Sequence, residues 1–210
     1  MKSYLPFLFS ASLVLAASTA SAATLAEWRY DSAVAEPFEA YNFEDGAEVS
    51  GFQGHGSANL SVQFRYRGWS TTIDTNNYCG FTIQAEAGKQ LTITSLDFSS
   101  AVSAGSVTGF QWGYRIDGGA WTMGELYESG EEGFGFIGAE HAKVWDIPDF
   151  TTTGAVEFGL FAQALNTTSS VIVSQPGALV LNGSITPVPE PSAALLSTAG
   201  LLAALRRRRR

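Results

Sequence analysis

From Phe110 to Ile116 a large apolar side chain occupies every second position. Phe110, Trp112, Tyr114 and Ile116 alternate with Gln111, Gly113 and Arg115. A period of two places the large side chains on one face of an extended strand, so this stretch predicts a half-buried β-strand. Asp117-Gly118-Gly119 then predicts a tight turn, and Ala120 to Met123 the return of a hairpin. The same alternation recurs in Leu60, Val62, Phe64 and Tyr66, set against Ser61, Gln63, Arg65 and Arg67. It also recurs in Phe81 and Ile83 within 79–84, and in Val156, Phe158, Leu160 and Ala162, set against Glu157, Gly159 and Phe161. Leu91 and Ile93 share one face, whereas Leu96 and Phe98 continue out of phase, which predicts a β-bulge at Thr94-Ser95.

Lys143 to Ile147 reads as a strand stopped by Pro148, and Ala178 to Ile185 as the last strand. The Gly- and Glu-rich stretch from Gly124 to Glu140 is expected to form surface loops. Glu27 to Asn59 is the least legible segment, with Phe38, Tyr41, Phe43 and Phe52 among acids and glycines. An edge strand and a long loop are expected there. No segment shows a sustained helical period, and roughly eight strands between turn signals predict an all-β fold. Its expected form is a two-sheet antiparallel β-sandwich of the jelly-roll type.

The two ends of the chain follow different rules. Residues 1–22 have the anatomy of a secretory signal peptide: Lys2, an apolar run from Leu5 to Ala17, then Ala20-Ser21-Ala22 as the small-residue cleavage site. Signal peptidase is expected to cut there and leave Ala23 as the new N-terminus. At the other end stand Val188-Pro189-Glu190-Pro191, then an uncharged segment to Leu205, then Arg206, Arg207, Arg208, Arg209 and Arg210. The prolines push Val188 and Glu190 toward extended backbone, a form that a processing enzyme can grip. The fifteen residues from Pro191 to Leu205 would make a helix of about 22 Å, short of the ~30 Å hydrocarbon core yet able to insert with local thinning. The arginines would hold its end at the cytoplasmic face.

The order of proline motif, apolar segment and arginine block at 188–210 resembles the PEP-CTERM sorting signal of exported bacterial proteins. That resemblance implies recognition by a membrane-embedded exosortase, transient residence in the inner membrane, and a cut near Pro189-Glu190-Pro191. It implies a final location in the cell envelope or extracellular matrix. The body, 23–187, is also similar to the jelly-roll ectodomains that precede such tails. The residues behind that weaker likeness are Gln90 to Phe98, Tyr114 to Trp121 and Ala178 to Ile185.

Charge narrows the choice of partner for the body. Without Lys2 and the terminal arginines six of the twelve basic residues remain, and without Glu190 nineteen of the twenty acidic ones, so the body carries about −13. Such a balance disfavours nucleic acid and anionic lipid. Cys79 is the only cysteine and has no internal disulfide partner. His55, between two glycines, is expected in an exposed turn, and neither it nor His141 sits in a metal-binding motif. No cofactor is implied. Structural calcium could use Glu44 and Asp45 or the carboxylates of the 125–132 stretch.

Three functions remain open. The first is a non-catalytic display, adhesion or structural sandwich. The second is a carbohydrate-binding module for extracellular polysaccharide, with Trp69 and Trp121 beside turns as stacking rings; Trp112 is expected in the core. The third is a small glycan-active enzyme, with Glu125, Glu128, Glu131 and Glu132 as its candidate acids. No catalytic residue is assigned, and the first function is preferred.

Overall fold

The computed structural model describes residues 23–28, 39–61, 65–102, 107–128, 141–166, 168, 171–173 and 179–189. The leader, Glu190, Pro191, the apolar C-terminal segment and the arginine block lie outside the described residues.

All regular structure among the described residues is strand. In chain order these are β1 Ala23–Trp28, β2 Asn42–Phe43, β3 Ala47–Val49, β4 Gln53–His55, β5 Asn59–Ser61, β6 Arg65–Arg67 and β7 Tyr78–Ala85. They continue with β8 Lys89–Val102, β9 Val107–Ile116, β10 Thr122–Glu128, β11 His141–Thr152, β12 Val156–Ala164, β13 Val171–Val173 and β14 Leu179–Pro187. One sheet runs β2-β1-β14-β8-β13-β6-β5, with β11 on the far side of β8, and the other runs β10-β9-β12-β7-β3, with β4 also on β7. Every strand pairing is antiparallel. Two such sheets facing across one apolar core make the expected all-β sandwich.

Alternation builds that core. Phe81 and Ile83 of β7, Phe110 and Trp112 of β9, and Phe158 and Leu160 of β12 are buried with Leu91, Ile93, Leu96 and Phe98 of β8. Phe52, in the connection between β3 and β4, has its ring within 6.5 Å of the rings of Trp28, Phe81, Tyr66 and Trp112. A loop residue thus plugs the centre of the sandwich. Cys79 is buried beside these rings, and burial pushes its thiol pKa well up, as expected of a small hydrophobe.

Two local expectations hold in detail. Asp117 and Gly118 both have positive φ (49° and 70°), and the Gly119 N–H bonds Ile116 O at 2.9 Å. This is the type I′ geometry that Asp-Gly favours. The pairings of β8 with β11 and with β14 both shift register between Ile93 and Ser95, so the bulge falls at Thr94 and swaps the buried phase from 91 and 93 to 96 and 98.

Four expectations need correction. The strand drawn through Leu60 to Arg67 is a hairpin, with Asn59 opposite Arg67, Leu60 opposite Tyr66 and Ser61 opposite Arg65. Even positions pair with even ones, so the alternation keeps its phase through the reversal and cannot reveal it. Pro148 does not stop β11. The register shifts between Asp146 and Phe150, and a proline on the outermost strand beyond β8 can sit in such an irregularity because its missing N–H costs the ladder nothing. The stretch expected as loop from Gly124 opens as strand, and its part from 129 to 140 lies outside the described residues. Gly124 to Glu128 belong to β10, where Gly124 lies so close under the Trp145 indole that a Cβ would approach Cε2 to 2.8 Å. The segment between Glu27 and Asn59 holds three short strands in its described part, more than the single edge strand expected.

Candidate functional site

The outer face of the smaller sheet carries a second, smaller ring cluster. In register across its middle, Gly159 of β12 faces Gly80 of β7 on one side and Gly113 of β9 on the other. Three glycines side by side leave a strip of sheet without side chains. Rings lie down over it: Phe161 of β12 is buried there, 5.4 Å from the Tyr78 ring and 4.9 Å from the Trp121 ring. Tyr78 and Trp121 meet edge to face at 5.0 Å. His55 ends β4 opposite Tyr78 and stacks on it at 4.3 Å, with the planes 9° apart. His55 is thus half-buried against a ring and not in an open turn.

A charged trio ties the cluster together. Glu157 of β12 is the cross-strand partner of Arg115 of β9. Arg115 Nε donates to Glu157 Oε2 at 2.6 Å, and its Nη2 donates to the Tyr78 hydroxyl at 3.0 Å. The Tyr78 hydroxyl in turn donates to Glu157 Oε1 at 2.5 Å. The guanidinium carbon stands 4.5 Å from the Trp121 ring centroid, a cation–π contact.

Each charge state follows from these contacts. Burial alone would raise the Glu157 pKa, but hydrogen bonds from Arg115 and Tyr78, with the positive charge of Arg115 and the coulombic influence of His55, outweigh it and hold the carboxyl below its ordinary value. Burial pushes the Tyr78 phenol up to about 12, helped by its bond to the Glu157 carboxylate and opposed by Arg115. The bond to Glu157 raises Arg115 further, against a smaller effect of burial. The cluster therefore holds a fixed ion pair and a neutral phenol. It presents no carboxylic acid ready to donate a proton, and no second carboxylate faces Glu157 within the trio.

This predicts a pH signature. Glu157 is more acidic folded than unfolded, so it stabilises the fold above the unfolded carboxylate pKa of about 4.3. That contribution is lost as pH falls through the lower folded value. Tyr78 does the reverse: its contribution is complete below 10 and is lost as pH rises toward about 12. Urea midpoints measured against pH should fall at both ends. In Glu157→Gln the acid-side fall should shrink by about 1 kcal/mol after allowing for solvent screening.

The structure separates the sequence candidates. Trp69 is buried, with its Nε1 donating to Tyr66 O at 3.1 Å, so neither ring face is free for a sugar. Trp112 lies in the core as expected, and Trp145 packs half-buried on Tyr114 and Phe158. Trp121, as partly exposed as Trp145, is the one of these that sits in the outer cluster, beside Arg115. Glu125 and Glu128 lie on β10, and Glu131 and Glu132 fall outside the described residues. Glu44 and Asp45 are exposed in the turn before β3. Among the described residues no group of three or more His, Cys, Asp or Glu side chains could hold a metal ion. Sequence reasoning missed Tyr78, Glu157 and Phe161 as members of one cluster. Two signals were available: the glycines of β7, β9 and β12, and the odd aromatic Phe161 on the supposed polar face.

No family model matches the chain, and no curated protein matches it. Among solved structures it is similar to the C-terminal domain of a chitobiase from Bacteroides fragilis, at 12% identity over 69% of this chain and 97% of that one, with a TM-score of 0.33. It is similar to CpGH89CBM32-5 from Clostridium perfringens, solved with GalNAc-β-1,3-galactose, at 13% identity over 64% and 94%, with a TM-score of 0.29. A structure titled "CBM4 structure and function" matches at 10% identity over 70% and 97%, with a TM-score of 0.29. Likeness at this level identifies neither a ligand nor a site in this chain.

Proposed function

We propose that this chain is an exported envelope or matrix protein whose body is a non-catalytic jelly-roll sandwich for display, adhesion or structural packing. The leader takes it across the inner membrane and the C-terminal segment holds it there. An exosortase then acts at Pro189-Glu190-Pro191. The observation that carries this reading is the pairing of β1 with β14. Ala23 lies opposite Gly183, and β14 ends at Pro187, only four residues on. Both address segments thus join the body at one end, within about 14 Å along the strand. A chain held by leader and tail in a single membrane requires both of its joints to face that membrane. The non-catalytic part is supported by the trio, whose carboxylate is committed to Arg115 and Tyr78.

The test is direct. Replacing Pro189, Glu190 and Pro191 together by alanine should leave an uncut form in the inner membrane, read by blotting fractions of the native producer. Unaltered processing would remove the sorting reading. Intact mass of the processed form should place its first residue at Ala23.

A second reading, a module that binds extracellular polysaccharide, is favoured by the half-exposed Trp121 indole beside Arg115. It predicts that the producer's own polysaccharide retains the body, and that Trp121→Ala loses at least about tenfold of that retention. Retention unchanged by Trp121→Ala would exclude this face.

A further inference from the structure

We propose that the end of β14 is a clasp over the sorting motif, so that the processing enzyme gains Pro189-Glu190-Pro191 only after the last strand pairs have opened. The inference rests on the sorting reading above. Pairing of β14 with β8 continues to Thr186 opposite Gln90 and Pro187 opposite Lys89. Beyond the strand, the Val188 N–H still donates to Gly88 O at 2.9 Å. The fold therefore holds the backbone up to the residue before Pro189.

Prolines make that last bond consequential. Pro187, Pro189 and Pro191 have no N–H, so Val188 and Glu190 are the only backbone donors from 187 to 191. An enzyme that grips an extended substrate by its backbone needs those donors, and the Gly88 carbonyl already occupies one of them. Nor can the motif reach away from the body. From Val188 to Ser192 the chain spans at most about 14 Å. The turn at Glu86 to Lys89, exposed at Glu86, Ala87 and Gly88 and closed by a Lys89–Glu86 ion pair, therefore stays close to wherever the motif is gripped.

The part that opens is small. Ile185 packs against the core and marks where the strand becomes firmly held. After it, the pairing of Thr186 with Gln90 and of Pro187 with Lys89, the Val188 bond and a 3.2 Å bond from Gln90 Nε2 to Thr186 Oγ1 hold a mostly exposed end. Strand ends of this kind open locally without unfolding the domain. When opening and closing are fast, the rate of cutting follows the open fraction. One backbone bond changes such a fraction by about fivefold.

The experiment is pulse-chase of the full chain in its native producer, following loss of the uncut form. A six-residue Gly-Ser spacer inserted between Pro187 and Val188 keeps body and motif intact but moves the motif off the clasp. It should shorten the half-life of the uncut form about fivefold, and Gln90→Ala should shorten it about twofold. An unchanged half-life with the spacer would overturn the clasp. If the triple-alanine motif is cut as fast as the parent, the sorting reading itself fails and takes the clasp with it. A readout without the enzyme separates the two cases. In the purified full chain in detergent micelles, the Val188 amide should exchange hydrogen at least about fivefold more slowly than in the spacer variant. Exchange at the rate of an unstructured amide would show that no clasp exists, whatever the processing data.

Discussion

Phe52→Ala should cost about 4 kcal/mol of folding stability, the middle of the range for removing a buried ring. The residue belongs to no strand, yet it is 3% exposed and its ring meets Trp28, Tyr66, Phe81 and Trp112. These four come from β1, β6, β7 and β9, and so from both sheets. Large rings anchored on paired strands cannot close over the space that Phe52 leaves, so a cavity persists along with the lost transfer energy. Urea unfolding of parent and variant measures the cost. A loss below about 1 kcal/mol would mean that the two sheets do not depend on this plug.

What could be read in advance followed from local rules. Asp117-Gly118 announced its turn because only a few residue types accept two successive positive φ values. The phase slip between Ile93 and Leu96 announced its bulge because a period of two permits no other repair. Long-range pairing was illegible for a physical reason. Tyr78, Arg115 and Glu157 are separated by 37, 42 and 79 positions, and nothing in an alternating pattern says which strand lies beside which. The folded hairpin at 59–67 hid for the opposite reason, since its register preserves the alternation. Phe161 sat on the face expected to be polar and solvated. It is buried because neighbouring rings roof it, a property of four segments together and not of β12 alone. The tryptophans make the same point: Trp69 and Trp121 both stand near turns, and only tertiary packing buries one and leaves the other half-exposed. The two terminal segments, read from sequence alone, lie outside the described residues, which run from Ala23 to Pro189.

The glycine strip explains how a sheet can own a second ring layer, and it leads to the other large effect. The three glycines do different work. At Gly113 a Cβ would meet the Met123 sulfur at 2.8 Å, and at Gly159 the tips of Phe161 and Trp121 at 2.9 Å, all side chains that can move. At Gly80 it would meet the Phe158 carbonyl oxygen at 1.9 Å, which is backbone of the paired strand. Relief there requires pushing β7 away from β12 in the middle of the sheet, at a ladder that runs from Val156 opposite Ile83 to Leu160 opposite Cys79. Gly80→Ala should therefore cost about 3 kcal/mol, the upper part of what overpacking usually costs. Gly159→Ala should cost nearer 1 kcal/mol, by lifting two rings off the strip. Gly88→Ala is the control, with open space around it and only its φ of +83° to oppose a side chain; it should cost about 1 kcal/mol. Urea midpoints of the three variants test the ranking. If Gly80→Ala proves as mild as Gly88→Ala, β7 and β12 are not held as close as the structure has them, and the ring cluster with its Tyr78–Glu157 bond loses the floor on which it rests.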